Sequence, residues 1–231
     1  NIVDIVRDAG NDAEALQWIQ KTRTAFKGKL PEALAVFAQT KIHIAQNNWT
    51  NALSDLNELE NFSDLGGTKA TGATNETEVT FLKGFVLEQL QRYAEAIEVY
   101  LSIPDGRNEY YGWRATERLR ALGTNEKAKT FVDAKINSLQ SSLEKARATN
   151  LGEFPLYRQM QSIFRLTNDS ELQRSMLRQI KISYGMAVNQ SLSLSHNVPT
   201  FKLLEFGRKN VLKEKLSSAE SYHQPLADEL L

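Results

Sequence analysis

The sequence predicts an all-α protein made of stacked antiparallel helical hairpins. Strand-like alternation is nearly absent, whereas apolar residues recur at helical spacing along most of the chain. Two segments that begin 44 residues apart also repeat one packing pattern, in which an aromatic residue precedes a small residue and two larger apolar residues. These positions are filled by Trp49, Ala52, Leu56 and Leu59 in the first copy and by Tyr93, Ala96, Tyr100 and Ile103 in the second. The small residue lets a neighbouring helix approach closely, as in proteins whose helical hairpins bury one another.

Capping and breaking residues divide the first half of the chain into helices. Asn11 or Asp12 is placed to cap a helix, Gly28 is placed to end it, and Pro31 fits the first turn of the next one. The capped helix is predicted to carry Ala15, Leu16, Ile19 and Phe26. The helix that leads into the first copy is predicted to carry Leu34, Phe37, Ile42 and Ile44.

The second half also contains residues that are typical of helix ends. Its helix-opening residues are Asn108, Pro199 and two capping boxes, Asn168 with Glu171 and Ser217 with Glu220. The helix after Asn108 is expected to end at Gly123, where the composition also changes. We therefore predict hairpin repeats over residues 1–123 and further packed helices that continue the stack over residues 124–231.

The segment 61–75 interrupts the helical pattern. It is too rich in glycine and threonine for a helix, since it contains Gly66, Gly67 and Gly72 together with Thr68, Thr71 and Thr74. A phosphate-binding loop is the alternative, but no strand precedes the segment and the Gly-Lys-Ser/Thr ending is missing. We predict a loop that connects the two copies.

Composition excludes several classes of function. The 231 residues are 41% hydrophobic, enough for a large core, and 28 basic residues balance 28 acidic ones. A nucleic-acid partner normally requires a basic excess or face, so none is predicted. No apolar run has the length of a membrane span, and the absence of cysteine removes disulfides and Cys-based zinc sites. We expect no cofactor and no metal.

The second copy resembles a tetratricopeptide repeat. That repeat has a glycine in its first helix, an aromatic residue and an alanine opening the second, a later aromatic residue and a closing proline. Gly84, Tyr93, Ala96, Tyr100 and Pro104 fill these places, although Pro104 comes early. The first copy departs from the pattern because Thr40 replaces the glycine and no proline closes it. The resemblance implies a right-handed superhelix, an α-solenoid.

A second resemblance begins at Asn108. The segment Asn-Glu-Tyr-Tyr-Gly-Trp-Arg-Ala-Thr-Glu-Arg-Leu, residues 108–119, is similar to a Tyr-Tyr-Gly, small residue, Arg-Leu signature. That signature occurs in the helical superhelix of bacterial soluble lytic transglycosylases, which cleave the glycan strands of peptidoglycan. The tail, residues 222–231, looks like the segment that leads toward their catalytic module. The resemblance implies a periplasmic or cell-envelope location, although no signal-like segment is present.

The catalytic pattern of that family is missing here. It requires a Glu-Ser pair on a helix followed by a Gly-Leu-Met-Gln stretch, with the glutamate acting as general acid and base. Glu220-Ser221 is the sole Glu-Ser pair in the chain, only ten residues follow it, and Gly-Leu-Met-Gln does not occur. The pair is better explained as the end of the Ser217 capping box. This chain alone is therefore expected not to be an enzyme, while its parent protein would be a lytic transglycosylase.

Other catalytic arrangements are also missing. His43, His196 and His223 lie far apart in the sequence, and none has metal-ligand spacing such as His-Glu-x-x-His. We interpret each of them as a surface or packing residue. No Gly-x-Ser-x-Gly nucleophile turn is present.

Tyr110, Tyr111 and Trp113 form the candidate contact surface. Aromatic faces stack on sugar rings and on peptide or proline groups, so a glycan and a protein are both possible ligands. The alternative is that these rings wedge between neighbouring hairpins. Trp18 and Trp49 are assigned to the core from their helical positions.

Together these features predict a noncatalytic scaffold domain of a peptidoglycan lytic transglycosylase. It would position a glycan strand or a catalytic module that lies C-terminal to it. The alternative is an independent tetratricopeptide-type adaptor that binds a peptide or protein in its concave groove, and a self-sufficient enzyme is the third possibility. The residues encoded after Leu231 would separate the first two.

Overall fold

The computed structural model describes residues 2–104, 110–148 and 153–167. Nine helices lie in these ranges, with no strand and one isolated bridge, so the all-α prediction is confirmed for them. The helices are α1 (Ile2–Asp8), α2 (Asp12–Ala25), α3 (Leu30–Ala45), α4 (Trp49–Leu59), α5 (Glu76–Gln89), α6 (Tyr93–Ser102), α7 (Tyr110–Thr124), α8 (Lys129–Ala148) and α9 (Glu153–Leu166). Asn108 and the predicted helix starts at Asn168, Pro199 and Ser217 lie outside the described residues, as do His196 and His223.

The chain forms two compact units. The first contains the described residues up to Pro104 together with Arg114–Val132. The second contains the described residues 110–113 and those from Asp133 onward. The boundary predicted after residue 123 falls inside the first unit, and the division into repeats and further helices stays a prediction.

Within the first unit, α1 to α6 pack in chain order. Each helix contacts the next one along the chain, from α1 on α2 to α5 on α6. Helix α3 is the most buried of them, since its buried residues point in several directions: Glu32, Ala33, Ala35, Val36, Phe37, Ala38, Thr40 and Ile42. This order of contacts is expected for hairpins that follow one another along the chain.

The two hairpins of the repeat close with the same turn. Asn47 follows α3 with φ +57°, and Gln91 follows α5 with φ +59°, and the two lie 44 residues apart. The Asn48 amide donates to the His43 carbonyl at 2.8 Å, and the Arg92 amide donates to the Leu87 carbonyl at 2.9 Å. The backbone hydrogen bonds of the two turns are therefore offset by the same 44 residues as the side-chain pattern.

The small residues of the pattern lie in close contacts. Ala52, Leu56, Ala96 and Tyr100 are fully buried. A Cβ atom added at Gly84 would lie 2.5 Å from Tyr100 Cε1, so the glycine makes room for the tyrosine ring. The packing thus brings the glycine of α5 against the buried tyrosine of α6.

The opening aromatic residues lie closer to the surface. Tyr93 is 8% exposed and packs on Phe131 of α8, with ring centroids 6.0 Å apart. Trp49 is half-buried and meets the Phe85 ring edge-on at 5.9 Å. Trp18 is also half-buried, at the edge of a cluster formed by α1, α2 and α3. Trp18 and Trp49 therefore lie at the margin of the core, whereas their helical positions in the sequence predicted that they would lie inside it.

The helix ends match most of the expected signals. The Asn11 side chain accepts a hydrogen bond from the Glu14 amide at 3.2 Å, and Pro31 lies in the first turn of α3. Phe26, assigned to the apolar face of α2, instead follows the helix and is 44% exposed. Helix α7 continues one residue beyond Gly123.

The Gly/Thr-rich segment 61–75 contains no helix, as predicted. Its ends are held together by the Gly67 amide, which donates to the Thr74 carbonyl at 3.0 Å, and by the Thr74 amide, which donates to the Leu65 carbonyl at 3.2 Å. Thr74 is buried, and its hydroxyl lies 2.8 Å from a Glu78 carboxylate oxygen. The segment is therefore a closed loop tied to the first turn of α5.

Candidate functional site

The three aromatic residues predicted as a contact surface lie together in the first turn of α7. Tyr110 is 62% exposed and Trp113 is 41% exposed, with ring centroids 6.4 Å apart. Tyr111 is half-buried and meets the Tyr110 ring edge-on at 5.1 Å. Two adjacent rings therefore reach solvent, and the third lies beside them.

Helical spacing separates these rings from the buried side of α7. Tyr110 and Trp113 are three residues apart and share one side of the helix. Gly112 is buried, and its carbonyl accepts a hydrogen bond from the buried Arg165 side chain of α9 at 3.4 Å. The start of α7 is thus anchored on one side and exposes aromatic rings on the other.

An ion pair follows the aromatic residues along α7. The first turn of α7 contains no acidic residue. The first ionised side chain after Trp113 is Arg114, whose guanidinium lies 2.8 Å from the Glu117 carboxylate.

A second candidate site, centred on Asp55, is not apparent from the sequence. Asp55 of α4 is 4% exposed, and its carboxylate lies 2.7 Å from His43 Nδ1 and accepts a hydrogen bond from the Gln39 amide at 2.8 Å. The Gln39 side-chain oxygen accepts from Arg23 at 3.2 Å, and Arg23 forms a bidentate pair with Glu58 at 2.6 and 2.8 Å. These polar side chains connect α2, α3 and α4.

Burial raises the pKa of Asp55 above its ordinary value. Loss of water is the largest cause, and it outweighs the hydrogen bond and charge of His43, the hydrogen bond of Gln39 and the charge of Arg23, which all act in the opposite direction. The sequence predicts a surface or packing role for His43. It is half-buried, and its Nδ1 is held by a carboxylate, an arrangement that fixes the orientation of the ring.

The repeat pattern does not require these polar groups. In the second copy the positions of His43 and Asp55 are filled by Leu87 and Val99. A leucine and a valine can therefore occupy the corresponding places of a hairpin of the same design. No group of three or more histidine, acidic or cysteine side chains that could hold a metal gathers in the described parts of the chain.

The second hairpin contains a different polar group, centred on Glu88 of α5. Its carboxylate pairs with the guanidinium of Arg118 on α7 and accepts a hydrogen bond from the Tyr100 hydroxyl at 3.2 Å. Burial, together with the charge of Glu88, raises the pKa of Tyr100, so this hydroxyl stays protonated and donates. Arg118 also lies over the Phe85 ring, 5.7 Å from its centroid. These contacts connect α5, α6 and α7.

No family model, curated protein or solved structure matches the chain. In the described residues, no helix combines the length and the apolar character needed to cross a membrane. The features that bear on its function are therefore the hairpin geometry, the aromatic surface and the motif that contains it.

Proposed function

We propose that the chain is a noncatalytic scaffold domain of a peptidoglycan lytic transglycosylase. In this proposal its hairpins form a right-handed superhelix that positions a glycan strand or a catalytic module encoded after Leu231. The protein would act in the periplasm or cell envelope. The scaffold contributes rigidity and position, while the general acid comes from the module.

The observation that carries this proposal is the position of the Tyr-Tyr-Gly motif. The motif that resembles the transglycosylase signature opens α7, and it exposes Tyr110 and Trp113 while Gly112 is buried. A motif that contributed only to packing would be expected to bury its large rings. Exposed aromatic rings on a rigid helix are suited to hold a ligand.

The contacts between hairpins support the stacked arrangement. Arg23 of α2 pairs with Glu58 of α4, and Glu88 of α5 pairs with Arg118 of α7. Each pair joins helices that are two apart in the chain, as expected when corresponding helices of successive hairpins lie side by side. The packing of Tyr93 on Phe131 joins α6 and α8 in the same way.

The proposal is tested with purified sacculi. We expect residues 1–231 alone to release no anhydro-muropeptides, because glycosidic cleavage needs a carboxyl group whose raised pKa lets it protonate the leaving oxygen. The longer natural protein should release them, and replacing the glutamate of its Glu-Ser pair by glutamine should abolish release. Cosedimentation of residues 1–231 with sacculi measures binding without cleavage.

Two results would overturn the proposal. Release of anhydro-muropeptides by residues 1–231 alone would make the chain an enzyme in its own right. A gene that encodes no catalytic module after Leu231 would favour the peptide- or protein-binding adaptor, whose ligand would lie in the groove of the stack.

A further inference from the structure

We propose that His43 and Asp55 act as a proton-dependent clamp on the corner formed by α2, α3 and α4. The pair gains one proton as the pH falls from neutral, and the corner becomes more rigid. The pair loses that proton as the pH rises, and the corner loosens. The clamp belongs to the fold of the first unit, so it does not depend on whether the chain is a scaffold or an adaptor.

The clamp is centred on a carboxylate that is buried between helices. Asp55 of α4 is 4% exposed. One of its oxygens lies 2.7 Å from His43 Nδ1 on α3, and the other accepts a hydrogen bond from the Gln39 amide at 2.8 Å. Ionising a buried carboxylate is costly unless an opposite charge compensates it, so the charge state of this pair affects how firmly the helices hold together.

The arginine nearest to this carboxylate is engaged by another acid. Arg23 of α2 pairs with Glu58 of α4 at 2.6 and 2.8 Å. Its hydrogen bond toward Asp55 runs through the Gln39 side chain, which accepts from Arg23 at 3.2 Å. The charge of Arg23 is therefore largely balanced by Glu58 and compensates Asp55 only weakly.

His43 is the titratable group in direct contact with Asp55. On α5, which packs on α4, Lys83 is engaged by Glu60 at 2.8 Å. A proton added to the pair removes its net negative charge whether it resides on the imidazole or on the carboxyl, because groups this close titrate together. Acidification therefore neutralises the buried pair.

The sign of the effect follows from burial. Loss of water raises the pKa of Asp55 above its ordinary value, although His43, Gln39 and Arg23 act in the opposite direction. A group whose pKa is raised by folding contributes stability that is fully present below its ordinary value, about pH 4 for aspartate, and that is lost as the pH rises through the folded value. The clamp is therefore tight in acid and loose toward alkaline pH.

The second hairpin provides an internal comparison. Leu87 and Val99 fill the places of the pair there. The Glu88 carboxylate of this hairpin faces the Arg118 guanidinium, so its charge is balanced directly. We therefore expect α5 and α6 to respond less to pH than α3 and α4.

Hydrogen exchange of residues 1–231, followed by NMR between about pH 5 and pH 8, tests the clamp. Protection factors, which correct for the intrinsic effect of pH on exchange, are compared between the amides of α3 and α4 and those of α5 and α6. We expect the ratio of protection to fall as the pH rises, by at most about tenfold per pH unit, the limit for one proton.

Two variants identify the groups responsible. The double variant His43→Leu, Asp55→Val copies the second hairpin and should lose the trend, because neither residue ionises. Asp55→Asn keeps a polar side chain without a titratable group and should also lose it. Circular dichroism verifies that each variant is folded, and the measurement on the parent chain requires no substitution.

Three results would overturn the clamp. A ratio of protection that does not change with pH in the parent chain would show that the pair has no such effect. The same fall in the folded double variant or in Asp55→Asn would assign it to other groups. Equal falls in all four helices would mean that the proton acts on the whole unit and not on this corner.

Discussion

Gly84 and Tyr100 illustrate how single residues adapt one packing pattern to two different interiors. In the second hairpin the glycine lies against a large ring. The corresponding residues of the first hairpin are Thr40 and Leu56, both fully buried, so a larger first residue accompanies a smaller second one. The summed side-chain volume is thus partly conserved, which is what a close-packed interior requires.

Gly84→Ala should destabilise the protein although alanine is the better helix former. The added Cβ would lie 2.5 to 3.0 Å from three atoms of the Tyr100 ring, and this ring is fully buried. Overpacking typically costs about 1–3 kcal/mol, whereas the gain in helix propensity is about 1 kcal/mol. Denaturant unfolding measures the difference in the free energy of unfolding between Gly84→Ala and the parent chain.

Combining Gly84→Ala with Tyr100→Leu tests whether contact with the Tyr100 ring causes the destabilisation. The double variant imitates the Thr40 and Leu56 combination, so it should be more stable than the sum of the two single effects. Strict additivity of the two changes would contradict the proposed contact.

Asp55 provides a prediction about pH at the residue scale. Because its pKa is raised in the folded state, its stabilising contribution is fully present below about pH 4, the ordinary value for aspartate, and is lost as the pH rises through the raised value. An asparagine resembles the protonated carboxyl and does not ionise. The stability of Asp55→Asn relative to the parent chain should therefore increase as the pH rises from about 4 toward neutral.

Urea denaturation of both proteins across this interval measures that difference. Glu126→Gln, which removes a carboxylate at an exposed position, is the control for the change of charge alone. If Asp55→Asn loses stability relative to the parent chain as the pH rises, attraction between Asp55 and His43 outweighs the cost of burial.

At the scale of the helix, much of the organisation could be predicted from spacing and caps. Apolar periodicity, the Asn11 cap and Pro31 locate α2 and α3, and the 44-residue offset relates the two hairpins. The pairing of His43 with Asp55 could not be predicted, because helical periodicity reports only apolar faces and the two residues lie on different helices. The partial exposure of Trp18 and Trp49 depends on the ends of the neighbouring helices, which the periodicity of a single helix does not define.

The turn after α5 gives a prediction at this scale. Gln91 has φ +59°, a left-handed conformation that costs an ordinary residue about 1–2 kcal/mol and is readily adopted by glycine. Since Gly also loses more entropy on folding, Gln91→Gly should stabilise the protein by about 0.5–1 kcal/mol. Gln89→Gly, two residues earlier at the last residue of α5, should instead destabilise it, by less than the roughly 1 kcal/mol that glycine costs in a helix interior.

Chemical denaturation of the two glycine variants gives their free energies of unfolding, which are compared with that of the parent chain. Equal destabilisation by both would mean that Gln91 does not hold a left-handed conformation in solution. The equivalent residue Asn47 tolerates this conformation better, so Asn47→Gly should have the smaller effect.

The alanines of the repeat pattern allow a matched test of the packing between helices. Ala96 of α6 is fully buried, whereas Ala94 of the same helix is exposed. Ala96→Leu should lower stability by about 1–3 kcal/mol through overpacking, and Ala94→Leu should change it little. Thermal unfolding measures the melting temperatures of the two variants. Equal melting temperatures would refute the alignment of the two copies.

At the scale of the molecule, the proposed superhelix makes a prediction about shape. A solenoid is longer than a compact globule, so small-angle scattering of residues 1–231 should give a radius of gyration well above roughly 17 Å, the compact expectation for this length. Measurement in dilute solution avoids any effect of association. A value near 17 Å would contradict the superhelix and, with it, the concave face that both functional hypotheses use.

The packing of α1 to α6 in chain order also affects how the protein acquires its structure. Contacts between neighbouring helices close only short stretches of chain, so the entropy lost in forming each contact is small and folding is expected to be fast. The hairpin of α3 and α4 is complete before α5 and α6 have been synthesised. The amino-terminal part of this protein is therefore suited to fold progressively during translation, with each finished hairpin providing a surface on which the next can form.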